Sequence, residues 1–315
     1  MIRIGVLGTG DIAVKHLEVF SELDVEIVAT YNRTKSRAEN LSEKFQLGKI
    51  YDNYKLMLEE NEFDALCVFV ASNIIKNVTL DCLDYNVPIL MEKPAGISVD
   101  QGKEILKKST EKNIPVMVGF NRRFMSTIMK AKEETDELIS INVEAPERWT
   151  QIKQKTKFND EILASWFYIN GCHCLDLLKY FGGKIKTVNS DSEHQKYYRA
   201  NVEFEEGVLA QYQSVYDNPG NWNITLITKN KKISLNPLEK ITITTKDGTQ
   251  VHELSELDTK FKPGFFLQDK YFIDSIVKNK EQISQPAVDI TEAVKLMEFM
   301  KQIESNSKSN QRNSE

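Results

Sequence analysis

Three short stretches carry side chains able to move a proton or grip a polar ligand. Glu92-Lys93-Pro94 closes an apolar run, and Lys93 is a candidate proton acceptor, because a neighbouring cation disfavours its ammonium form. Gly119-Phe120-Asn121-Arg122-Arg123-Phe124 follows the next apolar run. The Asn121 amide and the guanidinium of Arg122 or Arg123 suit a polyhydroxylated or anionic substrate. Gly171-Cys172-His173-Cys174-Leu175-Asp176 opens a helical pattern, with His173 suited to proton exchange at a hydroxyl. Asp176 stands three residues on, on the same helical face, and Asn170 precedes the run. Cys172-His173-Cys174 is not read as a metal site: alternate helix positions point apart, and no second Cys or His cluster completes a tetrahedral set. No metal is expected.

A ligand for these residues is suggested by the first thirty residues. Ile2, Ile4, Val6 and Leu7 form a strand-like run, and Gly8, Gly10 and Ala13 follow at the spacing G-x-G-x-x-A. A helical pattern begins at once, through Asp11, Ile12, Leu17 and Phe20. Strand, glycine turn and helix are the arrangement that cradles a dinucleotide pyrophosphate. The helix start offers free N–H groups and a positive dipole end. Gly8, Thr9, Gly10, Asp11 and Ile12 are therefore candidate cofactor contacts, with Ala13 allowing close helix packing.

The second strand, Val25 to Tyr31, ends on Asn32-Arg33-Thr34, where an NAD-preferring fold usually carries a carboxylate for the ribose. Asn32 has no charge, and Arg33, with Thr34 and Lys35, suits a 2′-phosphate. NADP(H) is favoured and NAD(H) remains open, since Arg33 stacked on adenine would serve either. Further cofactor candidates are Ala71, Ser72 and Asn73 after the fourth strand, and Glu92 and Lys93 after the fifth.

The elements that must position these groups alternate. Helices are expected over 35–45, 53–60 (capped by Asp52 or Asn53), 73–85 (capped by Ser72 or Asn73) and 99–112, and strands over 49–51, 65–70, 87–91 and 116–118. Such alternation with short connections means a doubly wound parallel sheet. Past residue 135 the pattern turns to strands, over 138–144, 186–192, 197–204, 208–216, 222–228, 232–235 and 241–245. Glu205-Glu206-Gly207 and Asp247-Gly248 are hairpin signals. A helix over 171–181 interrupts the strands, and helices resume over 265–278 and 289–303. The fold class is α/β: a Rossmann domain over 1–121, an α+β domain with a large, mostly antiparallel open sheet over 122–303, and a Ser/Asn/Lys-rich tail over 304–315 expected to be disordered. The sheet of the second domain is expected to cover an apolar face with a partner copy, as a homodimer or homotetramer.

Composition narrows the class. The chain has 315 residues, 41% hydrophobic and 28% charged, with a net charge of −5, which argues against broad affinity for nucleic acid or membranes. No apolar run approaches the ~20 residues that span a bilayer. The chain enters a strand at once, so no signal peptide is expected, and Cys67, Cys82, Cys172 and Cys174 are read as reduced thiols of a cytoplasmic protein. Trp149, Trp166 and Trp222 are read as core, interface or pocket-wall residues, and the lysines over 153–157 and 229–232 as solvated turns.

In combination these motifs resemble the Gfo/Idh/MocA family of nicotinamide-dependent oxidoreductases. The resemblance covers residues 1–125 and the region 165–183. It rests on the glycine turn at Gly8–Ala13, Glu92-Lys93-Pro94, the run from Gly119 to Phe124, and Gly171-x-His173-x-x-Asp176, in that order. It implies hydride transfer at a hydroxyl- or keto-bearing carbon of a sugar or cyclitol, with nucleotide-linked and amino sugars among the candidates, and with Lys93 and His173 at the substrate. Two positions depart from the family pattern. Ile169 stands where many active members carry Asp or Asn, with Asn170 beside it, and 71–76 read Ala-Ser-Asn-Ile-Ile-Lys where Thr-Pro-x-x-x-His is common. The alternatives are a redox-assisted lyase or epimerase, and a non-enzymatic NADP-binding regulator or partner subunit.

Overall fold

A computed structural model describes residues 1–155 and 158–305. Six parallel strands, β1 (Ile2–Leu7), β2 (Val25–Tyr31), β3 (Lys49–Tyr51), β4 (Ala65–Val68), β5 (Ile89–Glu92) and β6 (Val116–Gly119), alternate with α1 (Asp11–Phe20), α2 (Lys35–Phe45), α3 (Tyr54–Glu60), α4 (Ser72–Cys82) and α5 (Val99–Lys112). The strands lie in the order β6-β5-β4-β1-β2-β3. Strands β4, β5 and β6 are buried along their whole length, as strands covered on both faces must be. Asn53 caps α3 by accepting from the Lys55 and Leu56 amides. The start of α4 has no side-chain cap, unlike the expectation for Ser72 or Asn73; the residue before it is Ala71. Strand β4 ends at Val68, two residues short of the expected span; the Phe69 amide still donates to the Leu7 carbonyl, and its own carbonyl borders Gly8.

The remaining elements are α6 (Ser126–Glu134), β7 (Leu138–Glu144), α7 (Trp149–Lys153), α8 (Asp160–Ala164), α9 (Cys172–Gly182), β8 (Ile185–Glu193), β9 (Tyr197–Phe204), β10 (Leu209–Val215), β11 (Asn223–Thr228), β12 (Lys232–Leu235), β13 (Lys240–Thr245), β14 (Gly248–Glu253), α10 (Glu256–Lys260), α11 (Phe265–Tyr271), β15 (Val288–Asp289) and α12 (Ile290–Ser305). A π-helical turn, Phe167–Gly171, leads into α9, and another, Phe272–Lys278, continues α11. Strands β7 to β14 form the second sheet, in the order β14-β13-β12-β11-β7-β10-β9-β8. All its pairings are antiparallel except β7 with β10. Strand β14 carries no signal in the sequence because every one of its residues is exposed, so no alternation marks it.

The chain does not divide at one point. Met1–Phe124 and Leu257–Val294 form one compact unit, and Met125–Glu256 with Lys295–Glu315 form the other. A single cut at 121/122 therefore misses the segment 257–294, which brings β15 antiparallel onto β6 at the edge of the Rossmann sheet. The expected disordered tail lies outside the described residues except for Glu304 and Ser305, which close α12.

The second sheet also departs from expectation on its outward face. Ile141, Val143, Ala200, Val202, Ala210 and Tyr212 point inward and are buried. The alternate positions carry Asn142, Glu144, Arg199, Asn201, Gln211 and Gln213, all exposed. The apolar face is thus already covered within the unit, and the open face is mostly polar, with Leu209 exposed among the polar side chains. Tight packing on the covered side is visible at Gly182, where an added Cβ would lie 2.3 Å from the Phe204 ring. Gly182→Ala is expected to destabilise the protein by about 1–3 kcal/mol through overpacking, read from the urea unfolding midpoint.

Candidate active site

The parallel strands deliver their loops to one edge of the first sheet. After β1 comes Gly8, which has a φ of +107°, and a Cβ added there would lie 2.6 Å from the Phe69 carbonyl oxygen, so the position admits only glycine. Gly10 immediately precedes α1, and a Cβ there would meet nothing within 4 Å, so the first turn of the helix opens onto free space. The Thr9 amide donates to Asn32 Oδ1 (3.2 Å), while the Thr9 hydroxyl is buried with no partner among the described residues. Ala13 is fully buried under the turn. An open helix start, a glycine cradle and an orphaned buried hydroxyl fit a dinucleotide pyrophosphate.

Asn32 has a structural use that the sequence did not signal. Its oxygen accepts from Thr9 and its nitrogen donates to the Thr34 carbonyl (2.8 Å), so it ties the end of β2 to the glycine turn. Arg33, Thr34, Lys35 and Arg37 are exposed around the start of α2. Ala71 precedes α4, and Ser72 and Asn73 open it, on the same sheet edge, and Lys76, where the family often has histidine, pairs with Glu104 at 3.0 Å.

Lys93 follows β5 and is half-buried. Glu92 was expected at the cofactor, but its carboxylate is turned into the unit, 6% exposed and 3.2 Å from His16 Nε2. Of the two arginines after β6, Arg122 is half-buried and stays a ligand candidate. Arg123 does not: it is fully buried, with Nη2 2.8 Å from Glu292. A fully buried guanidinium engaged by Glu292 is not available to a substrate, so its role is to hold the start of α12. Asn121 donates to the Pro263 carbonyl at 2.9 Å, fixing the loop ahead of α11.

In the second unit, His173 is buried in the first turn of α9, its ring centroid 6.0 Å from that of Trp222. Trp222 donates to the Pro146 carbonyl, beside the buried Glu147. The Glu147 carboxylate accepts from Asn170 Nδ2 (2.8 and 2.9 Å) and from Trp166 Nε1 (3.0 Å). Asn170 therefore spends its donor on Glu147, where sequence reasoning gave that donor to substrate. Ile169 is buried in the π-helical turn, and Asp176 is buried further along α9. Trp149, Trp166 and Tyr216 pack around the same carboxylate-bearing loop. Glu147 had no signal in the sequence: it follows a proline in a connection, outside any motif.

His16 was also missed. It sits on the apolar stripe of α1 with Ala13, Leu17 and Phe20, all buried. Nδ1 lies 2.8 Å from Asp269 Oδ2 and Nε2 lies 3.2 Å from Glu92 Oε1. Two carboxylates facing both ring nitrogens require both to donate, which makes the ring an imidazolium. Burial works to lower its pKa, but Asp269 and then Glu92 more than reverse this, pushing it up to about 9. Burial pushes the Asp269 carboxyl up, with His16 opposing. Because the pKa of His16 is raised on folding, its contribution to stability is complete below about pH 6.5 and is lost as pH rises through about 9. Urea unfolding at pH 6, 8 and 10 should show wild type losing on the order of 2–3 kcal/mol across that window, and His16→Leu losing little of it.

The chain matches, over residues 2–120, the family described as oxidoreductase family, NAD-binding Rossmann fold. Myo-inositol 2-dehydrogenase of Thermotoga maritima is 26% identical over 136 residues, 43% of this chain and 41% of that protein. The match thus spans about two fifths of the relative's length. Among solved structures, a dehydrogenase from Chromobacterium violaceum superposes with a TM-score of 0.85 at 17% identity, covering 100% of this chain and 97% of that one. UDP-N-acetylglucosamine 3-dehydrogenase from Acidithiobacillus ferrooxidans superposes with a TM-score of 0.80 at 14% identity, covering 98% of each. These structural likenesses concern the fold. Among the described residues no helix is long and apolar enough to cross a membrane.

Proposed function

We propose that the chain, which matches the oxidoreductase family, NAD-binding Rossmann fold, over residues 2–120, is a Gfo/Idh/MocA member and a nicotinamide-dependent dehydrogenase or reductase acting on a hydroxyl or keto carbon of a sugar or cyclitol. The observation that carries the reading is the shared sheet edge. The open helix start at Gly10 and the half-buried Lys93 belong to loops that leave parallel strands in the same direction. Bound there, the dinucleotide supplies the hydride acceptor or donor. Lys93 takes the proton from the substrate hydroxyl on oxidation and returns it on reduction. His173 contributes a second proton-handling or orienting group at a hydroxyl, and Arg122 binds the rest of the substrate, while Asn121, buried and donating to the Pro263 carbonyl, braces the loop beside it. The names of the relatives, an inositol dehydrogenase and a nucleotide-sugar dehydrogenase, support a polyhydroxylated substrate.

NADP(H) is the favoured cofactor. Asn32-Arg33-Thr34 offers no carboxylate to a ribose 2′-hydroxyl, and Arg33, Lys35 and Arg37 stand exposed at the start of α2, ready to face a 2′-phosphate. The protein is proposed to work in the cytoplasm as a homodimer or homotetramer, with the polar face of the second sheet as the contact. Buried Ile169, in place of a carboxylate, keeps the regulator reading in view. That reading requires cofactor binding without turnover.

Two measurements test these statements. Lys93→Ala should lower turnover about 10²–10⁴-fold while cofactor affinity, titrated by fluorescence, changes little, because the phosphates are held by the glycine turn. Unchanged turnover removes Lys93 from the chemistry. Arg33→Ala should weaken NADPH more than NADH, and tighter NADH binding by the wild type would overturn the cofactor assignment.

A further inference from the structure

Glu92 and Lys93 are neighbours in sequence with opposite duties. The Glu92 carboxylate points into the unit, and Gly119 on the adjacent strand leaves room for it: an added Cβ there would come within 3.2 Å of Glu92 Oε1. Its partner, His16, stands on α1, the helix whose start forms the glycine cradle. The other side of the ring is held by Asp269 on α11, and Gln268 Nε2 donates to the second Asp269 oxygen at 3.1 Å. The ring plane is sandwiched as well. Phe69 stacks on it at 3.8 Å with planes 7° apart, and Phe265 closes in at 4.8 Å. The imidazole is fully buried and cannot rotate without breaking two charge-assisted hydrogen bonds.

We propose that His16 is the positioning residue for Lys93: held by Asp269 and the two phenylalanines, it pins the Glu92 carboxylate, and with it the backbone from which Lys93 projects, to the helix that carries the cofactor cradle. One side chain then sets the distance between the two halves of the first unit's site, and the segment 257–294 steadies it from behind through Asp269. The charged and titratable groups around this ring are Asp269 from α11, Glu92 from β5 and, beyond Asp269, the Cys67 thiol of β4, which burial and Asp269 push up. Lys262, ahead of α11, lies near enough to Glu92, Arg122, Lys93 and Lys15 to feel their charges; burial lowers its ammonium, with Glu92 opposing. The inner carboxylate thus faces the imidazolium and lies within reach of the Lys262 charge.

This inference rests on Lys93 as the proton carrier, and its test separates the two. In the full chain, the titration of the Lys93 amine is followed by NMR of ¹³C-methylated lysines, with Lys93→Ala assigning the resonance, and turnover and NADPH affinity are measured alongside. His16→Phe should shift the Lys93 titration and lower kcat by about 10²-fold, the scale of a small misplacement, with NADPH affinity held within about threefold. Glu92→Ala, which leaves His16 on Asp269, should do the same, and the double variant should be no worse than either single one. Glu92→Gln, which keeps an acceptor for Nε2, should recover most of the loss. Should His16→Phe fail to fold, the Glu92 pair carries the test. A Lys93 titration and kcat that are unchanged in folded His16→Phe or Glu92→Ala, with only the unfolding midpoint lowered, would reduce the network to a structural brace and overturn the proposal. The position of the Lys93 titration in these variants is independent of whether Lys93→Ala slows turnover, so the functional reading and this inference fail separately.

Discussion

Three ionisable groups share the dry interior of the first unit, and only their mutual contact makes that tolerable. Glu92 and Asp269 each carry a carboxylate with little or no access to water, and His16 lies between them with none. Removing any one leaves a buried charge without compensation, which costs several kcal/mol, far more than an exposed pair of the same geometry contributes. Most of the elements of interest touch this constraint. Strand β5 ends on Glu92, α1 carries His16 three residues past Ala13, and α11 is present in the unit because Asp269 must be. The glycine turn, the Lys93 loop and the returning segment are held by one network.

A second ion pair, buried Arg123 with partly exposed Glu292, stands in the turn after β6. Here too the partner comes from the returning segment. The two pairs explain why motif residues divide as they do. Within Glu92-Lys93 and within Arg122-Arg123, one residue is turned inward to bind the unit together while its neighbour stays partly accessible for a ligand. At the end of β5 adjacent positions point to opposite sides of the strand, and after β6 the 3-10 turn Asn121–Phe124 separates the two arginines, so a short polar motif serves structure and chemistry at once.

The parallel sheet was legible because its signals are local. Apolar runs of strand length, amphipathic helices and Gly or Asn punctuation place β1, β2, β3, α2 and α5 at their observed limits. The glycine turn was readable for the same reason. What escaped were features decided at long range. His16 reads as one more position on an apolar stripe until Asp269, 253 residues away, comes into view. Arg123 looks like a ligand until Glu292 claims it. Glu147 shows its function only through Asn170 and Trp166, and the polar open face of the second sheet is a property of strands set side by side, not of any one of them. The domain boundary failed similarly: a composition shift marks where one pattern stops, but gives no sign that the chain later returns.

That return has a consequence for how the protein is made. During synthesis the first 124 residues emerge early, with all six parallel strands, yet the unit they belong to is incomplete. His16 and Arg123 must wait for carboxylates that leave the ribosome more than a hundred residues later, after the whole strand-rich stretch has been translated. Until then the outer edge of β6 lacks its antiparallel neighbour, and a histidine meant to be charged faces a core that holds only one of its two counter-ions. Domains that fold from consecutive residues can finish as they appear; this one cannot close until residues 257–294 follow, and a nascent chain halted before residue 257 presents an open sheet edge and a half-neutralised interior to the chaperones around it.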